Sequence, residues 1–265
     1  MVRTVFLFIF GLCLIVQNAH AAALVTFSQG SVKIKAGTAA KNAPRTPFKV
    51  SDGKQIVLGK NAKITLLGSS GPKTHKGPKT ISIGKNTSKN PKLAAILNKK
   101  IPSKRVGASR ATGGFMLLRP VVGLPVLSLR DIRWECDDCG DKSVELLDTS
   151  FSPIWDGSGT GSIKYTGSAL TAGNYTLSID GKYYAFTIAP TSKVKEVKDT
   201  LNMLNKNTKL NSFEQVSIHA ALLYQAELQA EALYILDTAL SKQPKDQNLK
   251  QLIRSYEDKM SLHGN

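Results

Sequence analysis

Histidine and cysteine are scarce in this 265-residue chain, and acidic residues are almost missing from one third of it. Of four histidines, His20 lies in the apolar amino terminus, and His75, His219 and His263 show no paired spacing. That leaves little material for a general base or a metal cage. No Gly-x-Ser-x-Gly elbow is present, and Gly157-Ser158-Gly159-Thr160-Gly161 lacks the lysine of a phosphate-binding loop. Paired carboxylates on strands leave no trace in a sequence. On these absences the chain is read as non-enzymatic and without a cofactor. Beyond the amino terminus no window is apolar enough to span a bilayer, which excludes an integral membrane protein built on helices.

Acid is missing where base is dense. Residues 22–110 carry 19 basic side chains and one acid, Asp52, for a net +18; residues 111–265 carry 16 basic and 18 acidic, a net −2. The chain's overall +17 therefore describes one basic third rather than a uniformly basic globule, and at least two specialised parts are expected.

The first 21 residues read as an export signal. Arg3 precedes the apolar run Val5 to Val16, and Asn18-Ala19-His20-Ala21 supplies an Ala-x-Ala exit. Twelve apolar residues fall short of the roughly 20 a helical span needs. The expectation is a soluble or peripherally envelope-attached product in a bacterial periplasm; an uncleaved anchor is the alternative. Export would place Cys136 and Cys139 in an oxidising compartment. Glu135, Asp137, Asp138 and Asp141 crowd this pair, and nearby anions disfavour a thiolate. A small disulfide pinning an acidic turn is expected, with a metal or redox role as the alternative.

Four further regions follow. Residues 22–84 hold short strand signals, among them Val32-Lys33-Ile34-Lys35, Ile56-Val57-Leu58, Ala62-Lys63-Ile64-Thr65-Leu66 and Thr80-Ile81-Ser82-Ile83, separated by Ser51-Asp52-Gly53 and Gly68-Ser69-Ser70-Gly71-Pro72 turns. Alternation puts Val32 and Ile34 inward and Lys33 and Lys35 on the solvent face. The runs Gly30-Ser31-Val32, Pro47 to Leu58 and Gly59 to Leu66 resemble a FecR-like domain. That resemblance implies an exported β-rich module of the kind used in envelope signalling. The chain departs from the regulator layout in having no cytosolic amino-terminal region and no internal membrane helix.

Residues 85–112 form a basic connector with no acid. Within it Asn90 to Asn98 has the pattern of two helical turns, with Pro91 first and Leu93, Ile96 and Leu97 in one strip. Such a strip suits either a membrane-surface helix or a linker helix packed on a neighbouring domain. Residues 113–190 return to strands, the clearest being a hairpin of Tyr175–Ile179 and Tyr183–Ile188 around Asp180-Gly181. The Ile-x-Trp run Ile132-Arg133-Trp134 entering an early strand and the run Leu170 to Tyr175 before a late one resemble immunoglobulin-like modules, which implies a small β-sandwich. Trp134 and Trp155 are read as core, with an aromatic sugar platform as the alternative.

From residue 191 to 265 the apolar period is helical, with stripes Val194-Val197-Leu201-Leu204, Phe213-Val216-Ala220-Leu223, Ala232-Ile235-Leu236-Ala239-Leu240 and Leu249-Leu252-Ile253-Tyr256. Asn211 and Glu214 are spaced as a capping box. Ala220, Ala232, Leu236, Ala239 and Pro244 resemble one tetratricopeptide repeat, implying antiparallel helical hairpins that dock on a protein; an ordinary helical hairpin is the alternative.

The expected fold is thus multi-domain, β then α. The expected function is an envelope interaction protein that meets an anionic lipid or cell-wall polymer and a protein partner. A FecR-type periplasmic sensor acting on a membrane signalling partner is the alternative. The candidate polyanion-binding side chains are Lys33, Lys35, Lys73, Lys76, Lys79, Lys85, Lys99, Lys100, Lys104, Arg105 and Arg110. Lysine dominance there favours diffuse attraction over bidentate recognition. Nucleic acid is not expected, because Phe27 and Phe48 alone interleave with the basic residues.

Overall fold

The computed structural model describes residues 21–84, 91–101, 110, 111, 115–137, 140–207 and 211–260. Strands fill the amino-terminal part and helices the carboxy-terminal part. The first β unit contains Ala21–Gln29 (β1), Val32–Ala36 (β2), Ala39–Asn42 (β3), Phe48–Ser51 (β4), Gln55–Leu58 (β5), Lys63–Gly68 (β6), Gly71–Lys76 (β7) and Lys79–Ser82 (β8). They form two antiparallel sheets, ordered β4-β1-β6-β7 and β3-β2-β5-β8. Ala23, Val25, Val50, Ile64 and Leu66 from the first sheet meet Val32, Ile56 and Leu58 from the second in one core.

The central strand β1 is buried on both faces. Ala23 and Val25 point into that core, while Leu24 and Phe27 join a different one, and the register shifts between Val25 and Phe27. This explains why its sequence, Ala23-Leu24-Val25-Thr26-Phe27, runs apolar without strict alternation: a strand covered on both sides has no solvent face to keep polar.

A short helix, Pro91–Asn98 (α1), leads to a second β unit. Its strands are Arg110–Ala111 (β9), Phe115–Arg119 (β10), Pro125–Val126 (β11), Asp131–Glu135 (β12), Lys142–Leu147 (β13), Pro153–Gly159 (β14), Ser162–Lys164 (β15), Gly173–Ile179 (β16) and Lys182–Ile188 (β17). The sheets run β15-β12-β10-β9 and β11-β17-β16-β13-β14, with β11 and β17 parallel and every other pair antiparallel. Phe115, Leu117, Ile132 and Trp134 pack from one side, and Val144, Leu146, Leu177 and Phe186 from the other. At the β16–β17 turn Asp180 and Gly181 have φ of 47° and 75°, the primed geometry that matches strand twist.

Four helices complete the chain: Thr191–Asn207 (α2), Ser212–Gln225 (α3), Gln229–Lys242 (α4) and Gln247–Met260 (α5). Asn211 accepts from the Glu214 N–H and Glu214 accepts from the Asn211 N–H, so the capping box closes in both directions. The apolar stripes are not left open. Helices α1, α3 and α5 lie against β1, and α4 lies against β11. Leu24, Phe27 and Leu67 of the first β unit, the α3–α5 stripes and the interior of the second β unit form a single continuous core.

Polar contacts follow the same seams. Thr46 Oγ1 and Ser255 Oγ lie 3.0 Å apart, Thr74 Oγ1 donates to Glu214 at 2.6 Å, and Arg45 pairs with Asp258 at 3.3 Å. The Leu127 N–H donates to Glu231 at 2.9 Å. The helical region thus packs against both β units. The strip on α1 is likewise covered: Leu93, Ile96 and Leu97 are buried, so α1 is a linker helix packed on its neighbours and offers no apolar face to a membrane.

Candidate functional site

Because the helices rest on the β4-β1-β6-β7 sheet, the β3-β2-β5-β8 sheet is the far layer of the first sandwich. Its outer face carries Lys33, which is exposed, and Lys35, which is half-buried, opposite Val57 and Gln55 of β5. Strand pairing continues these rows to Asn42 and Ala40 of β3 on one side and, beyond β5, to Thr80 and Ser82 of β8, so no acid lies on the rows. Lys73 and Lys76 stand on edge strand β7, and Lys79 opens edge strand β8, all three exposed. These edges adjoin through Gly77-Pro78, and the charges converge on half-buried His75. Burial, then Lys79, then Lys73 lower the His75 pKa from its ordinary value, so its ring is held neutral beside two cations.

The remaining candidates divide differently. Lys99 forms an ion pair with Glu196 at 3.4 Å, and Lys100 is exposed at the end of α1. Lys85, Lys104 and Arg105 lie outside the described residues, and Arg110 is described only as backbone in β9. Three lysines of the basic region not singled out by sequence turn inward. Lys49 donates to the carbonyls of Ile96 (2.9 Å), Leu97 (2.6 Å) and Lys99, closing the carboxy end of α1. Burial, with Lys99 close by, lowers its pKa to about 8. Lys63 lies over the rings of Phe27 and Phe213, at 5.9 and 5.3 Å. Lys54 is half-buried on the β5 approach.

A second feature was invisible in the sequence. Between the outer face of β10 and β12 and helix α4 runs a cleft of about 200 Å³, walled by Met116, Leu118, Val122 and Leu233. Arg119 pairs with Asp237 and with Asp131 (3.5 Å), and Arg130 with Glu231 (3.6 Å). Both guanidinium groups lie over the Tyr234 ring, at 5.0 and 4.2 Å. Burial pushes the Glu231 carboxyl above its ordinary pKa, against the Leu127 N–H and Arg130, which pull it down. The cleft is charge-matched and chemically suits holding α4 on the sandwich. No spacing rule links Arg119, Arg130, Glu231 and Asp237, so only the tertiary fold could bring them together.

Cys136 is disulfide-bonded, and Cys139 lies outside the described residues. Trp134 is buried, and Trp155 is partly buried against Tyr165, with ring centroids 5.2 Å apart. Among the described residues no group of three His, Cys, Asp or Glu side chains is placed to hold a metal ion, and no helix is long and apolar enough to cross a membrane. Compared with known proteins, the chain matches no family model, no curated protein and no solved structure.

Proposed function

We propose that the chain is a non-catalytic binding protein of the bacterial envelope whose first β-sandwich holds an anionic polymer or anionic lipid surface. One observation carries this reading. The sandwich spanning residues 22–84 has eleven basic side chains against a single acid, and Lys33 and Lys35 stand on the layer turned away from the helices. Among the described residues the helix acids Glu214 and Asp258 meet Thr74 of β7 and Arg45 of the β3–β4 loop, and no ion pair reaches Lys33 or Lys35. Clustered like charge raises the local concentration of counter-charged ligands over several ångströms, and lysine suits a flexible, non-stereospecific partner. The FecR-like resemblance of residues 30–66 and the signal-like first 21 residues support an envelope setting. Protein partners would meet surfaces other than the apolar helix stripes, since those stripes are covered by the sandwiches.

The test uses the full chain with vesicles of phosphatidylglycerol and phosphatidylcholine, and with heparin as a soluble polyanion. Binding should weaken steeply between low and physiological salt, because the Debye length contracts to about 8 Å. The Lys33→Glu, Lys35→Glu double variant should weaken it further and flatten the salt dependence, while Lys99→Glu should leave it near wild type. Absent or salt-insensitive binding overturns the reading.

A further inference from the structure

Independently of the basic face, we propose that the outer face of the five-stranded sheet carries a saccharide-stacking platform formed by Phe151 and Tyr183. These are the most exposed large apolar side chains among the described residues, at 65% and 64%, with Ile154 next at 46%. Strand alternation puts Tyr183 and Ile154 on one face. Tyr183 heads a row that crosses Ser178, Glu145 and Asp156 on adjacent strands, all on the outer face, and Ile154 shares that face two residues from Asp156. Phe151 comes from the β13–β14 turn and meets Tyr183 edge to face, with centroids 6.3 Å apart at 86°. Leu147, next to this turn on the same face, is buried yet belongs to neither main core.

The turn is built to hold Phe151 where it is. Asp148 accepts from the Ser150 and Ser152 N–H groups at 2.8 and 3.0 Å, and its carbonyl accepts from the Phe151 N–H at 3.1 Å. Phe151 itself has φ of 60°, a left-handed conformation that a bulky residue adopts only under constraint. A strained aromatic that remains two-thirds exposed gains little from burial, so folding alone does not account for it.

The surroundings select the occupant. At about 200 Å² per large side chain the three residues expose roughly 350 Å², well short of the roughly 800 Å² per partner of a stable protein interface. Glu145 and Asp156 lie on the Tyr183 row of the same face, which opposes an anionic bilayer. A sugar ring suits both parts: its C–H face lies on an aromatic ring, and its hydroxyls meet carboxylates and the hydroxyls of Thr149, Ser150 and Ser152. Two rings at right angles fit two successive, rotated units of one chain. The ligand class is therefore an uncharged or weakly charged oligosaccharide.

Titration calorimetry and saturation-transfer NMR on the full chain, with chitotetraose, cellotetraose and mannotetraose, test this. At least one should bind, with saturation transfer from aromatic protons and little dependence on salt. Phe151→Gly, which accepts the same backbone conformation, and Tyr183→Ala should each weaken binding at least tenfold, and Phe151→Tyr should restore most of it. The Lys33→Glu, Lys35→Glu variant should bind as wild type, which separates this outcome from that of the basic face. No binding to any of the three, or binding indifferent to Phe151→Gly and Tyr183→Ala, overturns the proposal. Sedimentation showing a dimer that Phe151→Gly abolishes also overturns it, in favour of self-association.

Discussion

Phe27→Ala should unfold the distant second sandwich together with the first. Phe27 is fully buried, sits on β1, and packs edge-on against Phe213 of α3 with ring centroids 4.8 Å apart. Truncation removes about 140 Å² of buried apolar surface, roughly 3.5 kcal/mol at 25 cal/mol per Å². The lost aromatic pair adds about 1 kcal/mol, so the total lies at about 4.5 kcal/mol, within the usual span for phenylalanine truncation. For a chain of this size that is a fall in melting temperature of about 9–18 °C. The two tryptophans, Trp134 and Trp155, both lie in the second β unit and report on it alone. If the continuous core couples the units, urea unfolding followed by tryptophan fluorescence and by far-ultraviolet circular dichroism should shift together and by the same amount. A tryptophan transition that stays in place while circular dichroism splits into two steps would refute the shared core.

Alkaline stability should rise and then fall. Lys49 and Lys259 have pKa values lowered to about 8 by burial, while in the unfolded chain they titrate near 10.5. Between those values the unfolded chain binds more protons, so stability increases with pH. Above about 10 the sign reverses, because burial raises Tyr224 to about 12 and Tyr256 higher still, and the folded chain then holds the extra protons. Urea midpoints from pH 7 to 11.5 should show a maximum near 10, and Lys259→Met should remove part of the rise. Glu231, raised by burial, contributes stability below its ordinary pKa of 4.5 and loses it as pH rises through its folded value. Glu231→Gln, which keeps an acceptor for the Leu127 N–H, should flatten that slope and cost under about 1 kcal/mol. Glu231→Ala strands both that N–H and Arg130 and should cost about 2–3 kcal/mol by denaturant titration. Tyr256→Phe should raise stability by about 1 kcal/mol, because the buried Tyr256 hydroxyl has no hydrogen-bond partner among the described residues; a loss of that size would mean that the hydroxyl is satisfied.

Local patterns carried much of the architecture. The 3.6-residue stripes, the Asn211–Glu214 capping box and the Asp180-Gly181 turn each depend on residues a few positions apart, and each takes the form its spacing dictates. The alternation of Val32 and Lys33 likewise orients β2. The α1 strip was ambiguous for a physical reason: an apolar stripe records that something covers it, not what does. Phe151 was missed because exposure and a left-handed φ in a non-glycine residue leave no compositional mark.

The basic charge belongs to the first kind of information. Nineteen basic residues against one acid can be counted along residues 22–110 without any fold. Which lysines face solvent was decided only in three dimensions. Lys33 and Lys35 stay on the far sheet, Lys99 meets Glu196, and Lys49 closes the end of α1. The same division holds for the helices. Their periodicity is a property of nearest turns, whereas their use as a clamp depends on Leu24, Phe27 and Leu67, some 150 residues or more away in the chain. Contacts of that separation arise from burying whichever apolar faces remain once each unit has formed, and no local spacing encodes them.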